Sequence, residues 1–322
     1  MSTMEKILIE PFSRMLAEVA SPEKVRAAQK SGDIAAIWNE IQASGFLDAL
    51  LSEDAGGAGL TLADVFPLVA ETGAYCLPAP FAETMIARAL LSSHSASVPQ
   101  DAIIVIAAPS PVLPLSTVAT HALMQRQDAL ALVKLESDGQ DPFGALGGIG
   151  TGKSRSILTV EAGGTDLMLA AAALTAAKMA GAMRRLLDMS LAYARERNQF
   201  GRPLGKFQAI QQQLAVMAQQ VVSAKVAANV GMSGAHFDPL KVALAKCRTS
   251  EASHVVCDIA HAVHGAIGVT EEYDLQLLTR RLKQWQMAYG SESYWAGRIG
   301  AARVAQVLGT SADFVRHNLQ AE

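Results

Sequence analysis

The stretch YARERNQFGRPLGKFQAIQQQLAVMA, residues 193–218, decides how the second half of the chain folds. An apolar stripe at helical spacing leads into it, formed by Ala180, Met183, Leu187, Leu191 and Ala194. A second stripe leaves it, formed by Phe207, Ile210, Leu214, Met217 and Val221. Gly201 stands between the two stripes and permits the chain to reverse. The pattern predicts two long helices joined by a short turn.

The turn itself carries side chains that suit a ligand. Arg197 and Gln199 stand at the predicted helix end, where a guanidinium can pair with a pyrophosphate and an amide with a ring edge. Phe200 adds an aromatic plane. On residue chemistry alone, a helix hairpin with a charged, capped turn explains the same residues, and both interpretations stay open.

The remaining patterns predict a mainly α protein with a small β domain. Asp238 as N-cap and Pro239 at the first helical position open a third long helix, which runs to the glycines at 265 and 268. A fourth helix begins near Ser291 or Ser293. We therefore expect a helical domain over residues 1–97, a shortened β domain of about five strands over 98–164, and an antiparallel four-helix bundle over 165–322.

Composition excludes several classes of function. The 322 residues are 50% hydrophobic, only 5% aromatic and carry a net charge of −3, which gives no reason to expect a nucleic-acid partner. The three cysteines form no disulfide framework, and the first twenty residues lack the apolar core of a signal peptide. Without an uncharged apolar run of about 18 residues, we expect no membrane span and a cytoplasmic protein.

Residues 147–154, GGIGTGKS, match the phosphate-binding pattern G-x-x-x-x-G-K-[ST] letter for letter. A working phosphate loop follows a buried strand and opens a helix. Here the upstream residues are loop-like and the downstream RSILTVE is typical of a strand. We therefore expect a loop between strands, with Lys153 as a solvated loop charge.

A helix face with four potential metal ligands is a further candidate. His254, Cys257, His261 and His264 are spaced by three, four and three residues, which places them on one face. Ligands on a single helix do not easily close a tetrahedral site, and no second Cys/His cluster completes one. A polar-tolerant helix–helix seam is the simpler interpretation.

Three separated motifs, in order, resemble the acyl-CoA dehydrogenase family of flavoproteins. They are R-x-x-F-G followed by F-Q at residues 197–208, the segments SEDAGGAGLTLADVFPLVAETG and CLPAPFAET in the first hundred residues, and HGAIGVTEEYDLQLLTRRLKQWQMAYGS at 264–291. The resemblance implies the same three-part fold and FAD-dependent α,β-dehydrogenation of an acyl-CoA thioester. In that reaction a carboxylate removes the α proton and the β hydrogen leaves as hydride to the flavin.

The resemblance also implies the residues that bind the cofactor. Those expected to contact the FAD of a neighbouring subunit are Arg197, Gln199, Phe200 and Gln208. Gly265 and Gly268 are expected along its pyrophosphate and adenosine side, and Ser291 is expected to face the flavin.

The chain departs from the family pattern at the catalytic base. Tyr289 stands at the usual glutamate position, and the alternative base position is Ala171. Glu292, three residues further on, is a weak substitute because it points along a different helix face. Ala262 and Ala266 replace a usual glutamine and glycine, and the middle domain lacks the T-E-P and W-I-T runs that cover the flavin.

These departures favour a subunit of a heteromeric acyl-CoA dehydrogenase whose partner chain holds the base. Family members of this kind occur in bacteria and act on CoA thioesters with bulky groups such as steroid side chains. The expected partners are acyl-CoA, a second dehydrogenase subunit and an acceptor like electron-transfer flavoprotein. The alternatives are a self-sufficient homotetramer that uses Glu292 or another displaced base, and a non-catalytic scaffold protein with an acyl-CoA or flavin site. A nucleotide hydrolase comes last.

Overall fold

The computed structural model describes residues 3–110, 112–136, 146–148, 153–306 and 309–319. The prediction of a mainly α protein with a small β region is confirmed. The helices, in chain order, are α1 Thr3–Val19, α2 Pro22–Ser31, α3 Ala35–Ala43, α4 Leu62–Ala74, α5 Phe81–Ser92, α6 Leu167–Glu196, α7 Gln208–Gly231, α8 Pro239–His264, α9 Leu275–Met287, α10 Glu292–Ala305 and α11 Ser311–Leu319. The strands are β1 Ile104–Ala107, β2 Leu113–Pro114, β3 His121–Arg126, β4 Ala129–Glu136, β5 Gly147–Gly148, β6 Lys153–Glu161, β7 Asn198–Gln199 and β8 Arg202–Pro203.

The N-terminal helices pack directly against the long helix α6. The N-terminus of α4 is fixed by a capping box, in which Thr61 and Asp64 each bond the other's backbone N–H. Gly73 of α4 lies against the backbone of Lys178, and Gly181 of α6 lies against the backbone of Ala70. A Cβ at either glycine would overlap the facing helix, so α4 and α6 pack at backbone contact.

The middle region contains more strands than the five we expected. Six are described between residues 104 and 161, because two short strands, β2 and β5, pair with each other beside the main sheet. The main sheet has the order β1-β3-β4-β6, with β1 parallel to β3 and the other pairs antiparallel. Its apolar side chains alternate into a core that is shared with α5 and α6.

The C-terminal region is the predicted helical bundle with two helices more than the four we expected, namely α9 and α11. Helix α8 packs against α6, α7 and α10. Asp238 caps α8 by accepting from the N–H groups of Leu240 and Lys241, as the sequence predicts. The additional helix α9 lies between α8 and α10, and α10 begins at Glu292 with Ser291 as N-cap. The exact limits at residues 97/98 and 164/165 stay a prediction.

Helix α6 alone among the described residues is long and apolar enough to cross a membrane, by length and composition. However, 89% of its apolar window is buried inside the protein. A core helix passes the same test, and burial on this scale is the environment of a core helix.

Candidate functional site

The turn at residues 197–203 is a two-residue β-hairpin that projects from the end of α6. Strands β7 and β8 pair Asn198 with Pro203 and Gln199 with Arg202. The two loop residues, Phe200 and Gly201, both have positive φ, at 51° and 79°. Positive φ at both central residues is the geometry that matches the right-handed twist of a hairpin. This turn places the Phe200 side chain in solvent, where it is 89% exposed.

An open pocket of about 560 Å³ lies beside this hairpin. Four of the predicted cofactor residues line it together: Arg197, Gln199, Phe200 and Gly265. Arg197 ends α6, whereas Gly265 ends α8, so the packing of these two helices assembles the pocket. Gly265 has φ 65° and ψ −143°, a conformation suited to glycine, and a Cβ there would point into open space.

His264 forms part of the pocket wall and is positioned by two tyrosines. Its ring lies 4.5 Å from the ring of Tyr193 and 5.2 Å from that of Tyr273, between centroids. Nδ1 donates to the Ala260 carbonyl at 2.7 Å, which leaves Nε2 as an acceptor in the neutral ring. Burial lowers the pKa of His264. The hydrogen bond to Ala260 acts in the opposite direction, and the nearby His261 adds a smaller lowering effect.

The pocket residues fit one side of a dinucleotide. Arg197 supplies a planar cation for phosphate, and the exposed Phe200 supplies a stacking surface. The buried Nε2 of His264 has no hydrogen-bond partner among the residues that the structure describes. A cavity that contains an aromatic plane, a cation and an unsatisfied acceptor is chemically suited to a nucleotide cofactor.

Three other predicted cofactor residues do not line this pocket. Gln208 is exposed at the first position of α7, and Gly268 is buried below the pocket against Leu275 and His264. Ser291 lies at the start of α10, where its hydroxyl accepts from the Tyr294 N–H at 3.4 Å. Their roles toward a cofactor stay predictions.

Tyr289, at the expected base position, is buried to 1% exposure. Its hydroxyl donates to the Ile106 carbonyl of β1 at 2.9 Å. Burial, with a smaller effect from the charge of Glu83, raises the pKa of Tyr289 well above its usual range. A phenol in this state donates a hydrogen bond and cannot remove a proton at neutral pH.

A buried ion pair lies close to Tyr289. Lys178 of α6 and Glu83 of α5 bond directly, with side chains only 5% and 4% exposed. The Lys178 ammonium also lies 5.7 Å from the ring centroid of Trp285 on α9. Buried side chains of α5, α6 and α9 therefore lie together near the turn after α9.

The two substitute base positions are occupied in other ways. The Glu292 carboxylate lies 3.9 Å from His254 Nε2, and its side chain is 36% exposed on the α8–α10 surface. Ala171 is buried within α6. Neither position brings a carboxylate to the Tyr289 side of the turn.

The two remaining motifs take structural positions. Gly147 and Gly148 form strand β5, and a strand, β6, follows the pattern as predicted, where a phosphate loop requires a helix. The backbone of Lys153 begins β6, so our placement of Lys153 in a loop was wrong; residues 149–152 lie outside the described residues. No group of three potential metal ligands exists in the described part of the chain, and Cys257 points into the core.

Sequence reasoning missed the side chains that fill the interior. The Glu83–Lys178 pair joins residues 95 positions apart, which no local pattern reveals. A lysine within the apolar run LMLAAAALTAAKMAGA was the available signal, because a charge on an all-buried helix requires a partner. His264 was considered only as a metal ligand.

Comparison with solved structures defines the class of fold. The ChsE4–ChsE5 complex from Mycobacterium tuberculosis matches with a TM-score of 0.79 at 21% identity, over 96% of this chain and 99% of that chain. The Tcur3481–Tcur3483 steroid ACAD matches with a TM-score of 0.77 at 23% identity, over 94% and 99%. The fold is therefore that of the acyl-CoA dehydrogenases.

Sequence comparison then gives the family itself. The model of the acyl-CoA dehydrogenase C-terminal domain matches residues 166–304. The chain is 32% identical over 296 residues to the acyl-CoA dehydrogenase IpdE2 of Mycolicibacterium smegmatis, which covers 87% of this chain and 93% of that protein. The chain belongs to the acyl-CoA dehydrogenase family.

Proposed function

We propose that this chain is a base-lacking subunit of a heteromeric, FAD-dependent acyl-CoA dehydrogenase. The observation that carries the proposal is the state of Tyr289. The residue at the usual base position is a buried phenol that donates to the Ile106 carbonyl. The carboxylate that removes the α proton must therefore come from a partner chain.

The buried side chains near Tyr289 also support the proposal that the acyl group and the catalytic base lie in the partner chain. A base at position 289 acts on the α carbon of a thioester, so the acyl group has to lie beside that side chain. Here Glu83 and Lys178 occupy the neighbouring space as a buried pair. Replacing such a pair by an uncharged acyl chain would separate two buried charges, which is strongly unfavourable.

The contribution of this chain is the outward-facing half of a flavin site. Family members depend on FAD, and Arg197, Gln199, Phe200 and Gly265 are the residues here that would hold it. The Arg197 guanidinium would bind phosphate oxygens, and Phe200 would stack on a ring. When bound, FAD supplies the acceptor for the β hydride. The further partner would be an electron acceptor like electron-transfer flavoprotein.

We take the substrate to be a CoA thioester with a bulky acyl group, such as a steroid side chain. The relatives and structures reported above are acyl-CoA dehydrogenases, and one solved complex with this fold is described as a steroid enzyme. The burial of Tyr289, Glu83 and Lys178 agrees with a substrate that binds in the partner's site.

Co-expression with an acyl-CoA dehydrogenase chain that keeps the catalytic glutamate tests the proposal. The purified complex should show a flavin absorption spectrum that bleaches on addition of the acyl-CoA. Arg197→Ala should weaken FAD binding about 10-fold or more, the effect of losing one charge-assisted hydrogen bond. Arg195→Ala, at an exposed arginine two residues earlier and outside the pocket, is the matched control.

Two results would replace the proposal by its alternatives. Bleaching by this chain alone, abolished by Glu292→Gln, would identify a self-sufficient enzyme. Absence of flavin in every pairing, with oligomerisation retained, would identify a non-catalytic scaffold.

A further inference from the structure

A buried lysine of α8 forms hydrogen bonds to the turn between α9 and α10, residues 288–291. Nζ of Lys246, in the first half of α8, donates to the Gly290 carbonyl at 2.9 Å. It also donates to Ser250 Oγ at 3.1 Å and to the Gln286 carbonyl at 3.4 Å. Lys246 is fully buried, and its three donors are all used. One side chain therefore joins the end of α9 and the turn to α8.

The turn is strained and depends on such ties. Tyr289 has φ 55° and Gly290 has φ 90°. The Tyr289 N–H donates to Ser110 Oγ at 3.1 Å, and Trp295 Nε1 donates to the Tyr289 carbonyl at 2.9 Å. Both of these hydrogen bonds have uncharged donors, whereas the donor of the Lys246–Gly290 hydrogen bond is an ammonium. A charged donor forms the stronger hydrogen bond.

We propose that Lys246 is a positioning residue of the flavin site, whose ammonium holds the turn so that Ser291 is presented to FAD. Ser291 follows Gly290 directly and caps α10, so the Lys246–Gly290 bond fixes the position from which the serine projects. The inference rests on the proposed function, together with the prediction from the sequence that Ser291 faces the flavin.

The electrostatic surroundings make this tie sensitive to pH. Desolvation lowers the pKa of Lys246 to about 7, against the opposing effects of Glu292 on α10 and Cys247 on α8 itself. Near neutral pH the ammonium therefore becomes an amine, and its bonds to the two carbonyls lose their charge assistance. FAD binding that requires the ordered turn should weaken as the pH rises through this range.

Two measurements separate a Lys246 that orients the turn for FAD from a Lys246 that only stabilises the fold: the melting temperature and the FAD affinity. Methionine fills nearly the same volume without a buried charge, and replacing a buried charge by an apolar side chain is often neutral or stabilising. Lys246→Met should therefore keep or raise the melting temperature of the flavin-free complex. The same variant should lose FAD affinity. A merely structural lysine would instead lose stability and affinity together.

The experiment titrates FAD into the deflavinated complex of this chain and its partner between pH 6 and 8.5. We expect FAD affinity of the wild type to fall by about 10-fold across this range, consistent with loss of charge assistance. Lys246→Met should be about 10-fold weaker at pH 6 and nearly independent of pH. Lys246→Arg should retain affinity at high pH. Lys241→Met, on the same helix and with no side-chain bond to the turn, is the matched control and should behave as the wild type.

The outcomes separate this inference from the proposed function. Equal FAD affinity and an equal pH profile in wild type and Lys246→Met would overturn the positioning role alone. If Lys246→Met fails to fold, a flat pH profile of the wild type overturns it instead. A wild-type complex without flavin would overturn the proposed function and this inference together.

Discussion

Two aromatic residues in the same unfavourable backbone conformation end in opposite surroundings. Phe200 and Tyr289 have φ of 51° and 55°, yet Phe200 is 89% exposed and Tyr289 is 1% exposed. A positive φ on a bulky residue costs on the order of 1–2 kcal/mol and persists where surrounding contacts fix it. At Tyr289 those contacts lie within the chain, since Ile106, Ser110 and Trp295 all bond it.

Phe200 has much weaker support from its own chain. Its ring meets Phe207 edge-on at a centroid distance of 6.2 Å, and the remainder faces solvent. The hairpin requires positive φ at this position but favours asparagine or glycine there, so the choice of phenylalanine points to a role outside the chain, which is the flavin contact proposed above. The comparison contrasts an aromatic ring that the chain fixes in its interior with one that it leaves exposed, and the proposed function assigns the exposed ring to FAD.

The strongest test of the closed interior is the Glu83–Lys178 pair. Lys178→Met leaves the Glu83 carboxylate buried without its partner, and we expect a loss of about 3–5 kcal/mol in the free energy of unfolding. The double variant Lys178→Met with Glu83→Leu should recover most of that loss, because no buried charge remains. Urea unfolding of both variants measures the difference. A single variant as stable as the wild type would show that the pair does not seal the interior.

The second test concerns pH, and its sign follows from Lys246. The folded pKa is about 7 and the unfolded one about 10.5, so between these values the unfolded chain alone binds the proton. The free energy of unfolding should therefore rise with pH, by about 2 kcal/mol between pH 7 and 9. Above pH 9 the buried thiols of Cys76 and Cys257, with pKa raised to about 12, act in the opposite direction.

Denaturant unfolding at several pH values provides the measurement, with Lys246→Met as the control. The slope between pH 7 and 9 should disappear in that variant, whose other titrating groups are unchanged. An identical slope in both proteins would assign the effect to another group.

The third test separates the hydroxyl of Tyr289 from its ring. Tyr289→Phe keeps the packed ring but leaves the Ile106 carbonyl without its donor, which should lower the free energy of unfolding by about 1–2 kcal/mol. FAD content and turnover of the complex should not change, because the phenol takes no proton from the substrate. A large loss of turnover at unchanged FAD content would show that Tyr289 participates in the reaction.

Much of the fold could be predicted because its signals are local. The Asp238–Pro239 start of α8 and the stripes of α6 and α7 are each contained within a few turns of sequence. Helix α9 was missed although Leu275, Leu278, Leu282 and Trp285 give it an apolar face. Those residues lie within the segment 264–291 that resembles the family, and a resemblance alone does not mark where a helix begins or ends.

The candidate site was predictable to the extent that it lies on one stretch of chain. Arg197, Gln199 and Phe200 share a hairpin, whereas the Lys246 and Glu83–Lys178 contacts join distant segments. A sequence shows that a charge stands on an apolar helix, but the identity of its partner depends on how helices pack. The partners of these buried charges therefore depend on tertiary packing, which the sequence alone does not show.

The variant with the smallest expected effect tests the role of the exposed Phe200. Asparagine adopts the left-handed conformation more readily than phenylalanine, so Phe200→Asn should raise the free energy of unfolding by about 0.5–1 kcal/mol. The same variant should bind FAD more weakly, because the stacking surface is lost. Gln199→Asn, one residue earlier in β7 and without positive φ, controls for the asparagine itself and should leave stability unchanged. Chain stability and flavin affinity should thus move in opposite directions at position 200. A Phe200→Asn protein that loses both would mean that the phenylalanine serves the fold of its own chain, and that the two aromatic residues are alike after all.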